Sequence, residues 1–453
     1  MAVVGGGFSG VALTCALLRL SRQPLLVKLV ERRATLGCGV AYGTDEPAHL
    51  LNVPAGRMGV DPQDEAGFAR FLARQGSPAR AHDFVPRAWY ARYLQHALES
   101  AAHDAAPGVG WVWQQDEAVA CDARTVTFLR CSVLHADAVV LTTGHLPPRP
   151  PRLSASPAWT EPGLVPDPWQ PGALDAVSSG ATLLLLGSGL TALDVLLQLR
   201  AGGHTGRITL VSRRGLLPQT HRSLESPPAG GLVPANALQG VGNARALLAG
   251  VRRLARDIQA QGHDWRDAVA GLRPATPRLW QQLPERERRR FLRHLQPWWD
   301  THRHRCAPQA RATLEGLVEA GQVQVRAARL RTLRPAAEGG WQAGLQARGA
   351  DVIDTLCAGW VVNCTGPSSD VRHSHDVLLD RVVRQGDAVP DPLGLGLQVQ
   401  PDYCLASAPG GAGGLRYLGP LMKAGWWEAV AVPELRVHAN TLAGKLISEL
   451  GLA

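Results

Sequence analysis

Two glycine-rich turns, one at the start of the chain and one near its middle, constrain its fold more than any other feature. The first is Val4-Gly5-Gly6-Gly7-Phe8-Ser9-Gly10, in which Gly5, Gly7 and Gly10 give the spacing G-x-G-x-x-G. A short apolar strand leads into it, and a stretch free of Gly and Pro, Val11 to Leu20, leads out as a helix. Each glycine plays a separate part. The first permits the tight turn, the second lets a pyrophosphate approach the backbone, and the third lets helix and strand pack closely. The helix then presents unpaired N–H groups and a positive dipole end to an anion.

A lone spacing of this kind is weak, but this one has its context. The run Pro24-Leu-Leu-Val-Lys-Leu-Val30 reads as the next strand and ends in Glu31, 24 residues after Gly7, where an acid accepts hydrogen bonds from an adenosine ribose. The pattern then recurs. Ala181-Thr-Leu-Leu-Leu-Leu-Gly187-Ser-Gly189-Leu-Thr-Ala192 is a second strand and turn, of G-x-G-x-x-A form, followed by a helical stretch from Leu193 to Arg200. The next strand, Arg207 to Val211, ends in Ser212-Arg213-Arg214, and Arg213 lies 24 residues after Gly189, the same offset as from Gly7 to Glu31. An acid suits a free ribose hydroxyl, whereas the planar fork of an arginine suits a ribose 2′-phosphate. The first site is therefore expected to hold FAD or NAD and the second NADPH. The competing reading of Arg213 and Arg214 is a solvated loop pair.

At 453 residues the chain suits two or three domains with sizeable cores. Its 47 Lys and Arg outnumber 38 Asp and Glu, for a net charge of +9, but only Lys28, Lys423 and Lys445 are lysines. With abundant Ala, Gly and Pro, that points to a GC-rich coding bias rather than a basic patch, and no clustered charge with interleaved aromatics calls for a nucleic acid. The densest run, Glu285 to Arg290, mixes acids with arginines and reads as a solvated helix face. No stretch is long and apolar enough to span a bilayer, and no leader pattern precedes the first strand, so a cytoplasmic location is expected. Only Ala2, Val3 and Val4 separate Met1 from Gly5, which leaves a start a few residues upstream open. The eight cysteines, Cys15, Cys38, Cys121, Cys131, Cys306, Cys357, Cys364 and Cys404, include no C-x-x-C or C-x-x-x-x-C pair. A dithiol redox centre and a zinc ribbon are thereby disfavoured, and buried reduced cysteines are expected.

Along the chain, Leu36 to Thr44 is a Gly-rich loop after the ribose acid, and His49 to Arg57 offers Asn52 and Arg57 as donors to a flavin ring, with an ordinary loop as the alternative. Residues 62–105 read as helices. Ala136 to Gly144 is a buried strand ending in Thr143-Gly144, and Trp360 to Gly366 repeats that device with Thr365-Gly366; small residues there permit close approach of chain or ligand. A Pro-rich stretch from Pro147 to Pro171 is a natural crossover between domains. The second nucleotide domain is interrupted at about 236–315 by a basic helical region with Trp265, Trp280, Trp298 and Trp299, then Asp300-Thr-His-Arg-His-Arg305, which is expected to form a lid or substrate wall. His302 and His304 lack a spaced third ligand, so no metal is expected, and a packing or anion-binding role is favoured for Arg303 and Arg305. The last segment, through Trp427-Glu428 into a final helix, is expected to return to the first domain.

These residues are similar to a known family. Val-Gly-Gly-Gly-Phe-Ser-Gly10, Gly-Val-Ala-Tyr-Gly-Thr44, His49 to Arg57, Ser212 to Pro218 with His221-Arg222, Arg303-His-Arg305, Asn363-Cys-Thr-Gly-Pro367 and Trp-Glu428…Pro-Glu434 resemble, over nearly the whole chain, the bacterial FAD/NAD(P)-binding protein family, whose wider relatives include N-hydroxylating and Baeyer–Villiger flavin monooxygenases. The resemblance implies an α/β fold of two Rossmann-like dinucleotide-binding domains, the FAD domain discontinuous and the NADPH domain inserted with its helical insertion. The expected bounds are 1–170 and 356–453 for the FAD domain and 171–355 for the NAD(P)H domain. Two features of disulfide reductases are missing: the redox-active Cys pair, and the C-terminal Gly-Asp on the FAD ribityl chain, in whose place stands Leu418-Gly419-Pro420.

The expected cofactor contacts are Gly5, Gly7, Phe8, Ser9, Gly10, Glu31, Arg32, Asn52, Val119, Thr143 and Gly144 in the first part, Gly187, Gly189, Leu190, Thr191, Ser212, Arg213 and Arg214 in the middle, and Thr365, Gly366 and Trp427 after it. The expected function is an oxidoreductase with FAD and NADPH, acting on a small-molecule substrate with molecular oxygen as a monooxygenase. A reductase serving a quinone or protein partner and a non-catalytic redox sensor are the alternatives. No catalytic acid or base emerges; Arg57, His221, His304 and Lys423 are candidates, with His49 and Arg222 beside them.

Overall fold

The computed structural model describes residues 1–153, 157–222 and 231–453. The apolar run at the chain start forms the strand Ala2–Val4, which takes the centre of a five-stranded parallel sheet between Leu25–Val30 and Val139–Leu141; Val109–Gln114 and Arg416–Tyr417 form the edges. The helix Phe8–Leu20 follows directly. Phe8 to Leu18 are all buried, because the helix is sandwiched between the helices Arg87–His103 and Val432–Glu449 and the sheet. A helix covered on all sides has little need of amphipathic periodicity, which fits its almost uniformly apolar sequence. Arg416–Tyr417 and Val432–Glu449 show how the end of the chain rejoins its beginning.

The second sheet repeats the plan. Leu183–Leu186, buried throughout, lies between Ile208–Ser212 and Trp360–Asn363, all parallel, and the helix Leu190–Ala201 follows the glycine turn. Val323–Pro335 extends the sheet in parallel, and Trp341–Ala347 and Ile353–Ala358 add an antiparallel ribbon. Leu164–Val165, from the Pro-rich crossover, pairs with Trp360–Asn363 at the other edge. Both strands lie just outside the expected bounds of 171 and 355. Leu164–Val165 and Trp360–Asn363 belong to the second sheet because parallel backbone pairing with Leu183–Leu186 reaches through them. The short antiparallel pair of Leu146–Pro148 with Pro367–Ser368 links the ends of the two sheets.

Between Ile208–Ser212 and Val323–Pro335 the chain leaves the sheet for five α-helices among the described residues, Ala244–Ala260, Trp265–Leu272, Thr276–Gln282, Glu285–His294 and Gln296–Arg303. The next helix, Pro308–Glu319, packs back on the second sheet through Ala310 and Leu314. It joins the core of the second sheet although its first residues fall within the expected insertion of about 236–315. The insertion is fastened to the C-terminal segment. Trp280 donates its Nε1–H to the carbonyl of Ala424 at 2.9 Å, and its ring lies 4.5 Å from that of Trp427. Among the described residues no helix is long and apolar enough to cross a membrane.

Candidate functional site

Both glycine turns open at the carboxyl ends of their sheets, where ligands bind in open α/β folds. Gly5 has φ +117°, and a Cβ there would lie 2.4 Å from the carbonyl oxygen of Thr142; at Gly10 it would lie 1.9 Å from that of Gly5. Thr142 fixes the crossing by donating its hydroxyl to the Gly5 carbonyl at 2.7 Å. Gly7 caps the helix with extended backbone and no side-chain acceptor, so the first-turn N–H groups at Phe8 and Ser9 are left for a ligand. Glu31 is buried, and its two carboxylate oxygens accept the backbone N–H groups of Gly6 at 2.8 Å and Arg33 at 2.9 Å. These bonds leave lone pairs on the carboxylate oxygens for ribose hydroxyls.

The second turn is built alike. Gly187 has φ +133°, and a Cβ would lie 2.2 Å from the Cys364 carbonyl, whereas a Cβ on Gly189 would meet nothing within 4 Å. Gly189 caps the helix Leu190–Ala201 without a side-chain partner, leaving room and free donors for a phosphate. Ser188 donates to Ser212 Oγ or to the carbonyl of Leu216, at 2.7 and 2.6 Å, which ties this turn to the basic loop. Arg213 and Arg214 then diverge. Arg214 donates to the last carbonyls of the helix Glu285–His294, those of Arg293 and His294 at 3.3 and 3.0 Å. Arg213 is exposed and has no hydrogen-bond or ion-pair partner among the described residues. One arginine is structural and the other is free to grip an anion.

The two turns face a single cavity of about 1230 Å³. Its seam is closed by Arg87 of the first domain, whose guanidinium meets Asp194 of the second at 2.7 Å and lies over Trp169. Burial raises the Asp194 carboxyl, against the opposing pull of Arg87. The insertion supplies an arginine-rich wall. Arg222, Arg266, Arg273, Arg303 and Arg305 line the cavity together with Arg57. Arg222 pairs with Asp267, Arg266 with Asp264 at 3.0 Å, Arg273 with Glu434, Arg303 with Glu428 at 2.8 Å, and Arg57 with Glu65 at 3.9 Å. None of those five carboxylates lines the cavity: they stand behind the guanidinium groups. Arg305 forms no ion pair among the described residues, its Nε is buried without an acceptor, and burial, reinforced by Arg303 and only partly opposed by Asp264, brings its pKa down to about 10. The field extends to the histidines. Burial first, then Arg303 and Lys423, hold His304 well below its usual range, and burial with Arg305 brings His221 down to about 3. His221 therefore stays neutral and donates Nε2–H to the carbonyl of Asn52 at 3.0 Å.

Most of the residues expected from the sequence meet in this cavity: Gly5, Gly7, Phe8, Ser9, Glu31, Arg32, Asn52, Arg57, Thr143, Gly144, Gly187, Gly189, Leu190, Thr191, Ser212, Arg213, Arg214, His221, Arg222, His304, Thr365, Gly366 and Lys423. Three expected contacts do not reach it. Gly10 lies beneath the turn, where its missing side chain serves packing. Val119 follows Ala118 on the strand Ala118–Cys121, and since side chains alternate it is Ala118 that faces the cavity. Trp427 is buried against Trp280 and Phe291, in the contact that fastens the insertion. His49 also lies outside the cavity; it bonds Thr44 Oγ1 at 2.8 Å and packs on Trp169. Arg87, His145, Trp169, Asp194, Asp300 and Arg273 are cavity residues that sequence reasoning missed, and no spacing rule marks them.

Residues 2–146 match the model of the family described as FAD-NAD(P)-binding. The chain is 27% identical over 344 residues to an L-aspartate N-monooxygenase (nitrosuccinate-forming) of Streptomyces davaonensis; the match takes in 58% of this chain and 49% of that protein, so the chain spans about half the length of this curated relative. Among solved structures it superposes over 99% of both chains on an ornithine N-hydroxylase of Kutzneria sp. 744, with a TM-score of 0.62 and 17% identity. On the FAD-bound cadaverine monooxygenase of Erwinia amylovora it superposes over 99% of this chain and 94% of the other, with a TM-score of 0.63 and 13% identity. The chain carries an FAD/NAD(P)-binding domain over residues 2–146 and has the fold of flavoproteins with paired dinucleotide-binding domains.

Proposed function

We propose that this protein is an FAD- and NADPH-dependent monooxygenase that hydroxylates the nitrogen of a small amine. The observation that carries the reading is that two phosphate-binding helix ends, one followed by the carboxylate of Glu31 and the other by the free guanidinium of Arg213, open onto one cavity. The first turn takes FAD, with its pyrophosphate at Phe8 and Ser9 and its ribose at Glu31. The second takes NADPH, with its pyrophosphate at Leu190 and Thr191 and its 2′-phosphate at Arg213. FAD bound there supplies hydride acceptance from NADPH and the activation of molecular oxygen. The balance is amine, O2, NADPH and a proton giving hydroxylamine, NADP⁺ and water.

The chain's own contribution is electrostatic. An amine reacts through its lone pair, so it must be neutral. Burial and the surrounding cations, which together hold His304 below its usual range, act in the same sense on a substrate ammonium and favour the free base. The relatives support this direction: the curated one is an N-monooxygenase, and the two structural neighbours above act on ornithine and cadaverine. The two cavity cysteines, Cys38 and Cys364, are free, and burial raises the thiol of Cys364, so nothing in the cavity resembles a dithiol relay.

The test is anaerobic mixing of the FAD-loaded protein with NADPH, followed by ¹⁸O₂ and an amine panel. The expected result is rapid bleaching of the flavin absorption, then a hydroxylamine carrying one labelled oxygen. Bleaching with only hydrogen peroxide as the oxygen product, whatever the amine, would put the reductase reading in its place. No bleaching by NADPH would favour the sensor.

A further inference from the structure

The carboxylates that neutralise the arginine wall all stand outside the cavity, so a ligand entering from the cavity side meets guanidinium groups. Arg305 is the extreme case: it follows the helix Gln296–Arg303, is held in place where Cys306 donates its backbone N–H to Gln219 and accepts that of His221, and lines the cavity with Arg266, Arg222 and His221. A buried guanidinium with an unsatisfied N–H is costly unless an anion completes it. Most of the acids that line the cavity are engaged elsewhere. Glu31 holds the first turn, Asp194 is held by Arg87, Glu117 by Arg32, and Asp116, Asp167 and Asp376 accept backbone N–H groups of their own loops. Burial raises the carboxyl of Asp300, which also lines the cavity.

Resting on the N-hydroxylase reading, we infer that the substrate is an amino acid with two carboxylates, one of them gripped by Arg305 with Arg222 and Arg266 alongside. The geometry separates this role from nucleotide binding, since the second glycine turn and Arg213 already provide for both phosphate positions of NADPH. The guanidinium fork matters as well as the charge, because a planar pair of donors fits a carboxylate where a lysine offers one point charge.

The experiment titrates the FAD holoenzyme, saturated with NADP⁺, with L-aspartate, L-glutamate, L-ornithine, L-lysine and cadaverine, and follows the perturbation of the flavin spectrum. Hydroxylamine is assayed under turnover in parallel. The dicarboxylates are expected to saturate the change. Arg305→Ala and Arg305→Lys, checked for unchanged FAD content, are expected to weaken them roughly tenfold to a hundredfold, with NADP⁺ affinity unaltered. A response to ornithine, lysine or cadaverine instead, no response to any compound, or a parallel loss of NADP⁺ in the variants would overturn the inference. Arg305-dependent dicarboxylate binding with no hydroxylamine formed would leave the anion site standing and remove the N-hydroxylase reading. Hydroxylamine formed from cationic amines alone would do the reverse.

Discussion

Arg87 of the first domain and Asp194 of the second form an ion pair across the domain seam, Nη2 to Oδ2 at 2.7 Å, with both side chains nearly buried. Arg87 also donates from Nε to the carbonyl of Leu50 at 3.1 Å, so its fork is fully directed. Breaking such a pair leaves an uncompensated buried charge, and Arg87→Ala is expected to destabilise the protein by roughly 3–5 kcal/mol. The pH dependence gives the signature. Burial already raises the Asp194 carboxyl above its unfolded value, and without Arg87 the rise is larger. The folded variant then keeps a proton that the unfolded chain loses, so its stability falls as pH rises from the ordinary carboxylate range. Urea unfolding at pH 5 and pH 8 checks this; a deficit of equal size at both would sink it.

Arg213 and Arg214 are adjacent and do different work. Arg213→Ala is expected to weaken NADPH roughly tenfold to a hundredfold and NADH hardly at all, since only the former has a 2′-phosphate to lose. Arg214→Ala is expected to affect both nucleotides alike and weakly, because its donors satisfy the carbonyl ends of a neighbouring helix. Stopped-flow reduction of the flavin at varied NADPH and NADH separates the two, and equal losses of both nucleotides in Arg213→Ala would remove the 2′-phosphate assignment.

The division of labour between these arginines shows where sequence reasoning reaches its limit. The strand, turn, helix and acid-or-arginine offset of each nucleotide fold are local, and backbone geometry enforces them, so they can be read residue by residue; the 24-residue step to Glu31 and to Arg213 is of this kind. Which of two neighbouring arginines is free depends on a helix distant in the chain, whose carbonyls Arg214 satisfies, and no local pattern carries that. The same holds for Arg87 and Asp194, 107 residues apart, and for Trp427, whose motif is visible but whose partners lie in the insertion. The strand Leu164–Val165 was illegible for a related reason: it is too short to show an alternation, and it is defined only by the strand it pairs with.

Six histidines are pushed down by burial: His49, His145 and His438 to about 4, His221 to about 3, and His204 and His304 in the same direction. The unfolded chain binds protons at these sites below about pH 6.5 and the folded chain does not. Their depressed values thus favour unfolding as pH falls from 6.5 toward 4, with full stability recovered above 6.5. A steep loss of unfolding free energy is expected between pH 6.5 and 5, eased in His221→Asn because one of the groups is gone. A flat profile over that interval, or the same slope in wild type and variant, would contradict this account.

The two glycine turns allow the cofactor sites to be disabled one at a time. Gly187→Ala forces a Cβ to 2.2 Å from the Cys364 carbonyl at φ +133°, and Gly5→Ala forces one to 2.4 Å from the Thr142 carbonyl at φ +117°. In both, the obstacle is backbone of a central strand end, which yields only by moving the sheet, and the left-handed φ adds strain for any side chain. Gly187→Ala is expected to retain FAD at near-normal occupancy while losing reduction by NADPH by two orders of magnitude or more, since the second turn can no longer seat the pyrophosphate. Gly5→Ala is expected to emerge without flavin, or to fold poorly, because its turn is the proposed seat of the FAD phosphates and also supports the packing of the central helix Phe8–Leu20. The flavin-to-protein absorbance ratio and the NADPH reduction rate are the two readouts. Loss of FAD in Gly187→Ala with NADPH binding intact would reverse the order in which the two sites have been assigned.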